Sequence, residues 1–295
     1  MGMWEDMKSA KNIYIMGYGR SGSTLFESLL LSYEKLNAFG EVKYLAERGA
    51  LKNEKCSCGK YAQECEFWRD IIKALSHYDF TEVEKVTNKF ESSKMFFINM
   101  YLVKIGFFKK DLELYKNFNK ELKRMLISHG NYIDSSKMPA RVYFLDYQEK
   151  ECFYEKVYWM TRDPRGVAWS CMKVVERPEA AFDKDKFMPK FGFYPSILKW
   201  FFNSIVSNYI YKNHNNVSII SYEDTAVNFE GKNLTSDRGE LFNHSISGNP
   251  RRFNGGLREI KVDEDWRKNL SRFQICVGGR VKNIFSKGGK DVSTY

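Results

Sequence analysis

The sequence predicts an α/β fold in which a parallel sheet carries helices on both faces. Three observations lead there. Short apolar runs alternate with longer amphipathic stretches, the rhythm of βαβ units. Two of those runs, Ile13-Tyr14-Ile15-Met16 and Val157-Tyr158-Trp159-Met160, lead into turns dense in glycine, hydroxyl and arginine residues. Those turns are Gly17-Tyr18-Gly19-Arg20-Ser21-Gly22-Ser23-Thr24 and Arg162-Asp163-Pro164-Arg165-Gly166-Val167-Ala168-Trp169-Ser170; they lie about 140 residues apart and each opens a helix. A strand ending in such a turn presents backbone N–H groups and a helix N-terminus to an anion. Two such cups imply a ligand with two separate anionic ends. In open parallel sheets ligands gather at the carboxyl ends of strands, where the principal motifs fall.

The remaining elements follow in order. Leu25-Phe26 and Leu29-Leu30 form the buried stripe of a helix that starts at the first glycine-rich loop. Leu36 to Phe39 reads as a second strand, ending at Gly40-Glu41. Residues 42–130 are a long insertion, mainly helical, basic and aromatic. Tyr132-Ile133-Asp134 and Val157 to Thr161 are strands. Ile197-Leu198, Phe201-Phe202, Ile205-Val206 and Tyr209-Ile210 repeat every four residues, an amphipathic helix with Pro195 in its first turn. Val217 to Ile220 is the fifth strand. The glycine-rich tail, about 277–295, is expected to be loose. The 295 residues read as one domain, without internal repeats.

The net charge of +10 implies attraction to anions, or simply a solvated basic surface. No arginine-rich helix or aromatic RNA-binding signature is present, so a nucleic-acid partner is not expected. Met1 to Asn12 lacks the apolar core of a signal peptide, and no apolar run approaches the roughly 20 residues that span a bilayer. A cytoplasmic address, no membrane partner and six reduced cysteines are the matching expectations; the oligomeric state is not readable. Cys56, Cys58 and Cys65 suggest a metal, but structural zinc wants four ligands and His77 is a distant fourth. The expectation is therefore no metal, with reduced thiols or a disulfide-pinned loop.

The first loop admits three readings. As a Walker A motif it has Gly17, four residues and Gly22, but Ser23 stands where the phosphate-binding lysine belongs. A kinase or nucleotide hydrolase would lose its main cation. As a dinucleotide fingerprint, Gly17-x-Gly19-x-x-Gly22 fits, with Glu41 about 20 residues on as the ribose acid of an NAD-type oxidoreductase. Yet Arg20, Ser21, Ser23 and Thr24 crowd the turn with donors, which suits a terminal, highly charged group better than a bridging pyrophosphate. Glu41 is equally a first-turn helix glutamate, Lys137 a solvated lysine after a turn, and Asp163-Pro164 ordinary helix-start chemistry. Arg165 is either a further phosphate ligand or an exposed side chain.

The third reading is a resemblance. Arg20-Ser21-Gly22-Ser23-Thr24-Leu25 after a strand resembles the 5′-phosphosulfate loop of sulfotransferases that use 3′-phosphoadenosine 5′-phosphosulfate (PAPS), in the bacterial and tyrosylprotein-like branch. Arg162, followed eight residues later by Ser170, resembles that family's 3′-phosphate site. Phe39-Gly40-Glu41, Asp134-Ser135-Ser136-Lys137, Ser221-Tyr222-Glu223-Asp224, Gly248-Asn249-Pro250-Arg251-Arg252-Phe253 and the Cys56-Ser57-Cys58-Gly59 segment with Cys65 and Trp68 fit in the same order, over roughly 12–270. The resemblance implies a P-loop-type three-layer sandwich. It implies a donor site of Gly19, Arg20, Ser21, Gly22, Ser23, Thr24, Arg162, Ser170, Tyr222, Arg251 and Arg252, with Tyr222 near the adenine. It makes Glu41 the general base, with Arg20 and Lys137 stabilising the departing phosphate; His129 is the fallback base. The product is 3′,5′-bisphosphoadenosine (PAP), and no metal is implied. The expected acceptor is a small molecule with a hydroxyl or amine, first a bacterial secondary metabolite and second a carbohydrate or glycolipid. Its pocket would come from 42–130 and 177–195.

Overall fold

The computed structural model describes residues 11–182, 185–231, 244–253, 260 and 262–286, with only the backbone of Arg251 and Ser286. Five strands, β1 (Asn12–Met16), β2 (Asn37–Ala38), β3 (Tyr132–Lys137), β4 (Lys156–Thr161) and β5 (Val217–Ser221), form one sheet in the order β2-β3-β1-β4-β5. Every pairing is parallel. All five strands stand where hydrophobic patterning puts them. The second is shorter than expected, two residues of regular pairing before the chain bends at Gly40.

Eleven α-helices are described among these residues. In chain order they are α1 (Ser23–Tyr33), α2 (Glu66–Ala74), α3 (Phe80–Phe90), α4 (Phe96–Lys104), α5 (Lys109–Ser128), α6 (Pro139–Asp146), α7 (Pro164–Met172), α8 (Phe193–Asn213), α9 (Tyr222–Asn228), α10 (Trp266–Asn269) and α11 (Arg272–Ser286). The 42–130 insertion is mainly helical, as expected: a 3₁₀ turn, a π-helical turn over Leu45–Leu51, and α2 to α5. The tail expected to be loose is corrected in part. α11 runs ten residues past Cys276, and Gly278 lets it approach the Arg165 side chain: a Cβ there would stand 2.4 Å from Arg165 Cγ. Residues 287–295 lie outside the described set.

β1 is buried along its whole length, as a central strand of a two-sided parallel sheet must be. Its side chains alternate between two cores. Ile13 and Ile15 pack with Leu25, Phe26, Leu29 and Leu30 of α1. Tyr14 and Met16 face the other core, with Phe90, Phe144, Val206 and Ile210. A third core, including Phe39, Trp68, Phe118, Leu122 and Ile246, fastens the insertion to the β2 edge. No helix among the described residues is long and apolar enough to cross a membrane.

A buried polar network, invisible in the sequence pattern, joins the insertion to the sheet. Arg141 of α6 donates to Glu91 Oε1 at 2.6 Å, Asn119 Oδ1 at 2.6 Å and Tyr154 Oη at 2.7 Å, and pairs with Asp134 at 3.3 Å. Tyr115 donates to Glu91 at 2.8 Å and Tyr154 to Asp134 at 2.5 Å. Burial pushes the Asp134 carboxyl above its ordinary range despite the Arg141 charge and the Ser136 and Tyr154 hydrogen bonds.

Candidate active site

The loop between β1 and α1 is shaped by backbone geometry that only certain residues allow. Gly17 N–H donates to Lys137 O at 2.9 Å. A Cβ on Gly17 would stand 2.4 Å from Met160 O, so the chain clears β4 only without a side chain. Arg20 holds a left-handed φ of 70°. Gly22, at φ 89°, N-caps α1, and a Cβ there would lie 2.4 Å from Tyr222 Cδ2. No described heavy atom lies within 4 Å of where a Gly19 Cβ would stand. The α1 N-terminus has no side-chain cap. Ser21 is buried, and its hydroxyl has no hydrogen-bond partner among the described residues. Ser23 and Thr24, also buried, form the first turn. Uncapped N–H groups beside an unpartnered hydroxyl are features that suit an anion.

Lys137 reaches this loop because β3 carries an extra residue against β1: Tyr14 pairs with Asp134, but Met16 pairs with Lys137. The bulge is pinned by Asp134, which accepts from Ser136 N at 2.9 Å and Ser136 Oγ at 2.5 Å. Lys137 then sits at φ 72°, and its ammonium donates to Glu41 Oε1. Glu41, after β2, is held by its own N–H on Ile246 O at 3.0 Å, while Ser136 Oγ accepts from Lys43 N at 3.0 Å. Arg252 lies 3.9 Å from Glu41 Oε1. Burial would push the Glu41 carboxyl up; the charges of Lys137, Arg252 and Arg48 outweigh it and hold the carboxyl below its ordinary value. Lys137 is also lowered, first by burial and then by the Arg252 charge, against the pull of Glu41. The Glu41 direction reports its surroundings: three cations, Lys137, Arg252 and Arg48, act on this one carboxyl.

The second segment is built differently from the first. The α7 N-terminus is already capped by Asp163, which accepts from Arg165 N at 3.0 Å, with Pro164 in the first turn. Arg165 is neither exposed and idle nor aimed at the loop. It clasps Asp163 through Nε at 2.8 Å and Nη2 at 2.6 Å, over the Trp266 ring. Arg162, at the end of β4, is buried. It donates to Arg20 O at 3.0 Å, pairs with Asp263 Oδ2 at 2.9 Å and lies over the Tyr222 ring at 4.1 Å. Any anion at this end therefore meets the Arg162 side chain rather than a bare helix N-terminus. Tyr222 packs under the first loop, with Arg162 over its ring. Ser170 lies half-buried in the last turn of α7. Arg252 is fully buried and bonds Glu27 of α1 through Nε at 3.0 Å and through Nη2. The Arg251 side chain lies outside the described set. His129 is at the α5 terminus, its ring against Phe67 and its Nδ1 2.9 Å from Met125 O.

Arg20, Lys137 and Arg162 thus stand at the carboxyl ends of β1, β3 and β4, with Glu41 just beyond β2. Three participants escaped the sequence reading. Arg48 donates to Ser247 Oγ and stacks on Tyr44 at 3.9 Å. Glu27 looks like an ordinary residue of a helix stripe until Arg252 arrives from 225 residues away. Asp263 belongs to no motif and meets Arg162 only in space.

No protein-family model matches the chain, and no curated protein matches it. Among solved structures, the sulfotransferase domain from the curacin biosynthetic pathway aligns over 95% of this chain and 98% of its own length, with 14% identity and a TM-score of 0.46. The sulfotransferase domain from the Synechococcus PCC 7002 olefin synthase aligns over 97% and 98%, with 15% identity and a TM-score of 0.39.

Proposed function

We propose that this protein is a sulfotransferase that moves a sulfuryl group from PAPS to a hydroxyl or amine of a small molecule, with Glu41 as general base. The observation that carries the reading is the anion-binding end of α1: an uncapped helix start, the unpartnered Ser21 hydroxyl, and a cation-rich cluster around Glu41. A carboxylate at that point suits proton abstraction from an acceptor rather than phosphate binding.

Two other readings fit less well. A dinucleotide site needs the second strand beside the first, so that its terminal acid meets the ribose. Here β3 lies between β1 and β2, and Glu41 is engaged by Lys137. A Walker-type nucleotide hydrolase lacks its lysine, because Ser23 holds that position.

In the proposed reaction the acceptor oxygen or nitrogen attacks sulfur in line. The bond from sulfur to the 5′-phosphate oxygen breaks, and its electron pair leaves with that oxygen. The acceptor proton passes to Glu41. Ser21, the α1 N–H groups, Arg20 and Lys137 stabilise the charge that gathers on the departing phosphate. Arg162 takes the 3′-phosphate, and Ser170 and Arg251 are proposed to join it from the same end. Tyr222 supports the adenine side. Arg252 holds Glu27 and Glu41 in place rather than touching the nucleotide. The acceptor is proposed to be a hydroxylated or amine-bearing metabolite, and a carbohydrate is the second candidate. A cavity of about 370 Å³ lined by Glu176, Arg177, Phe182, Lys186 and Pro250 is the place we propose for the acceptor.

Thermal unfolding with PAP, ATP–Mg²⁺ and NAD in parallel tests the nucleotide. Stabilisation by PAP alone is expected; stabilisation only by ATP or NAD would overturn the reading. Incubation with ³⁵S-labelled PAPS and a panel of hydroxylated and amine acceptors then reports transfer directly.

A further inference from the structure

Three cysteines at one- and six-residue gaps lack a fourth metal ligand in the sequence. His77, the nearest candidate along the chain, is instead turned onto Ala74 O at 3.0 Å and Glu121 at 3.3 Å. The fold supplies a different histidine. His244 arrives from the far end of the chain, and its ring nitrogen stands with the Cys56, Cys58 and Cys65 sulfurs so that all four atoms lie within 4.8 Å of one another. We propose that Cys56, Cys58, Cys65 and His244 form a structural zinc site that ties the 56–65 loop to the segment beside Glu41.

The distances suit this chemistry. A tetrahedral zinc with Zn–S of about 2.3 Å and Zn–N of about 2.0–2.1 Å separates two sulfurs by about 3.8 Å and a sulfur from a nitrogen by about 3.6 Å. Cys58 and Cys65 sulfurs are 3.7 Å apart, and Cys65 Sγ is 3.4 Å from His244 Nδ1. A disulfide would need about 2.05 Å. Three thiolates and one imidazole are also a characteristic closed zinc set, with no position left for substrate.

The ligands are held in place by groups that do not touch the metal, as such sites require. Phe67 stacks on the His244 ring at 5.2 Å, with an interplanar angle of 13°. Trp68 Nε1–H donates to His244 O at 2.7 Å. A tight turn returns Cys56 N–H to Lys60 O and Gly59 N–H to Cys56 O, both at 2.9 Å. Cys65 stands at the N-cap position of α2, which fixes its backbone. Ser57 N–H donates to Ser245 O at 3.0 Å, and Ser245 N–H returns to Ser57 Oγ at 2.8 Å.

What the site clamps is next to the chemistry. Ile246 sits between the two segments: it bridges to Cys56 on one side and to Gly40 on the other, and its carbonyl accepts the Glu41 N–H. The zinc would therefore fix the backbone of Glu41 without taking part in any transfer step. The four ligand atoms are set by the fold and are independent of the donor or acceptor of the reaction.

The test uses the full chain without a polyhistidine tag, purified under reducing conditions. Elemental analysis should find one zinc per chain. Replacement by Co²⁺ should give thiolate charge-transfer and tetrahedral ligand-field absorption bands. His244→Ala should lose most of the metal, and His244→Cys should retain it. Cys58→Ser should weaken retention against a chelator. Chelation of the wild type should lower the unfolding temperature, which zinc restores. Reduced, folded wild-type protein that takes up neither Zn²⁺ nor Co²⁺, with Cys56, Cys58 and Cys65 all freely titratable, would overturn the proposal. Equal zinc content in wild type and His244→Ala would overturn the ligand assignment.

Discussion

The Glu41 carboxylate faces Lys137, Arg252 and Arg48, while Glu27 is the other carboxylate bonded into this cluster. At the Glu41 carboxyl itself the acting charges are cationic, a local surplus that favours an incoming anion. The same surplus keeps Glu41 ionised, and so ready to accept a proton, throughout the neutral range. Its carboxyl is depressed in the folded protein. The stability this contributes is therefore present above the ordinary carboxylate pKa and lost as pH falls through the lower folded value. The acid limb of catalysis should accordingly lie below the usual carboxylate range. Glu41→Gln keeps the shape but cannot take the proton. It should lower kcat by roughly 10²–10⁴-fold with little change in PAP affinity. Measuring kcat and Kd on one preparation separates this from a ribose-binding role, in which affinity collapses and residual catalysis survives. Glu41 was legible in the sequence because it ends an apolar run at Gly40. Its partners were not. Lys137 reaches it through a β-bulge, and Arg252 and Arg48 arrive through long-range contacts that no local pattern encodes.

At the scale of elements, the two strand-to-helix turns are unequal, although they look alike in sequence. The first is open to an anion and the second is already closed by Asp163 and Arg165. The first was legible because glycine spacing and a helix start are local properties. The second was only half legible, because Asp163 competes with any ligand for the same N–H groups. Arg162 should dominate there: Arg162→Ala should weaken PAP binding by about 1.5–3 kcal/mol, the range for a charged hydrogen bond. Calorimetric titration checks it, and unchanged affinity in a folded variant would remove the 3′-phosphate assignment. Asp263 gives the same element an opposing prediction. It is held ionised by Arg162, against the effect of burial, and an arriving phosphate must share that guanidinium with it. Asp263→Asn should tighten PAP by about 1 kcal/mol, roughly fivefold, and leave adenosine 5′-phosphate unaffected. Weaker PAP binding would mean that Asp263 instead orients Arg162. Gly22 packs the first turn against the start of α9. A methyl there meets Tyr222 and a left-handed backbone. Gly22→Ala should cost about 1–3 kcal/mol of stability, read as a lower unfolding temperature, together with weaker PAP binding.

For the whole molecule, the question is how an insertion of nearly ninety residues is kept in register with the sheet that carries the site. The apolar contacts around Phe39 and Trp68 hold the β2 edge, and they follow from composition. The specific tie is polar and buried. Arg141 of α6 bonds Glu91 at the end of α3, Asn119 of α5 and Tyr154 before β4, and it faces Asp134, which shapes the bulge that delivers Lys137. One guanidinium therefore connects insertion, sheet and candidate active site. Its removal leaves the buried Glu91 and Asp134 carboxylates without their main counter-charge. Breaking a buried pair from one side costs about 3–5 kcal/mol, a large share of the 5–15 kcal/mol that holds a typical domain. Arg141→Ala should lower the urea midpoint accordingly. Because the network spans both parts, far-UV dichroism and tryptophan fluorescence should shift together in a single transition. Arg141→Lys restores charge but not the fork that reaches three acceptors, so it should recover only part of the loss. Two separate transitions in the wild type would mean that the insertion folds independently and that Arg141 is not the tie. A cost under about 1 kcal/mol for Arg141→Ala, the value of an exposed pair, would mean that water reaches Glu91 and Asp134 and that the bulge at Lys137 is held by its own backbone.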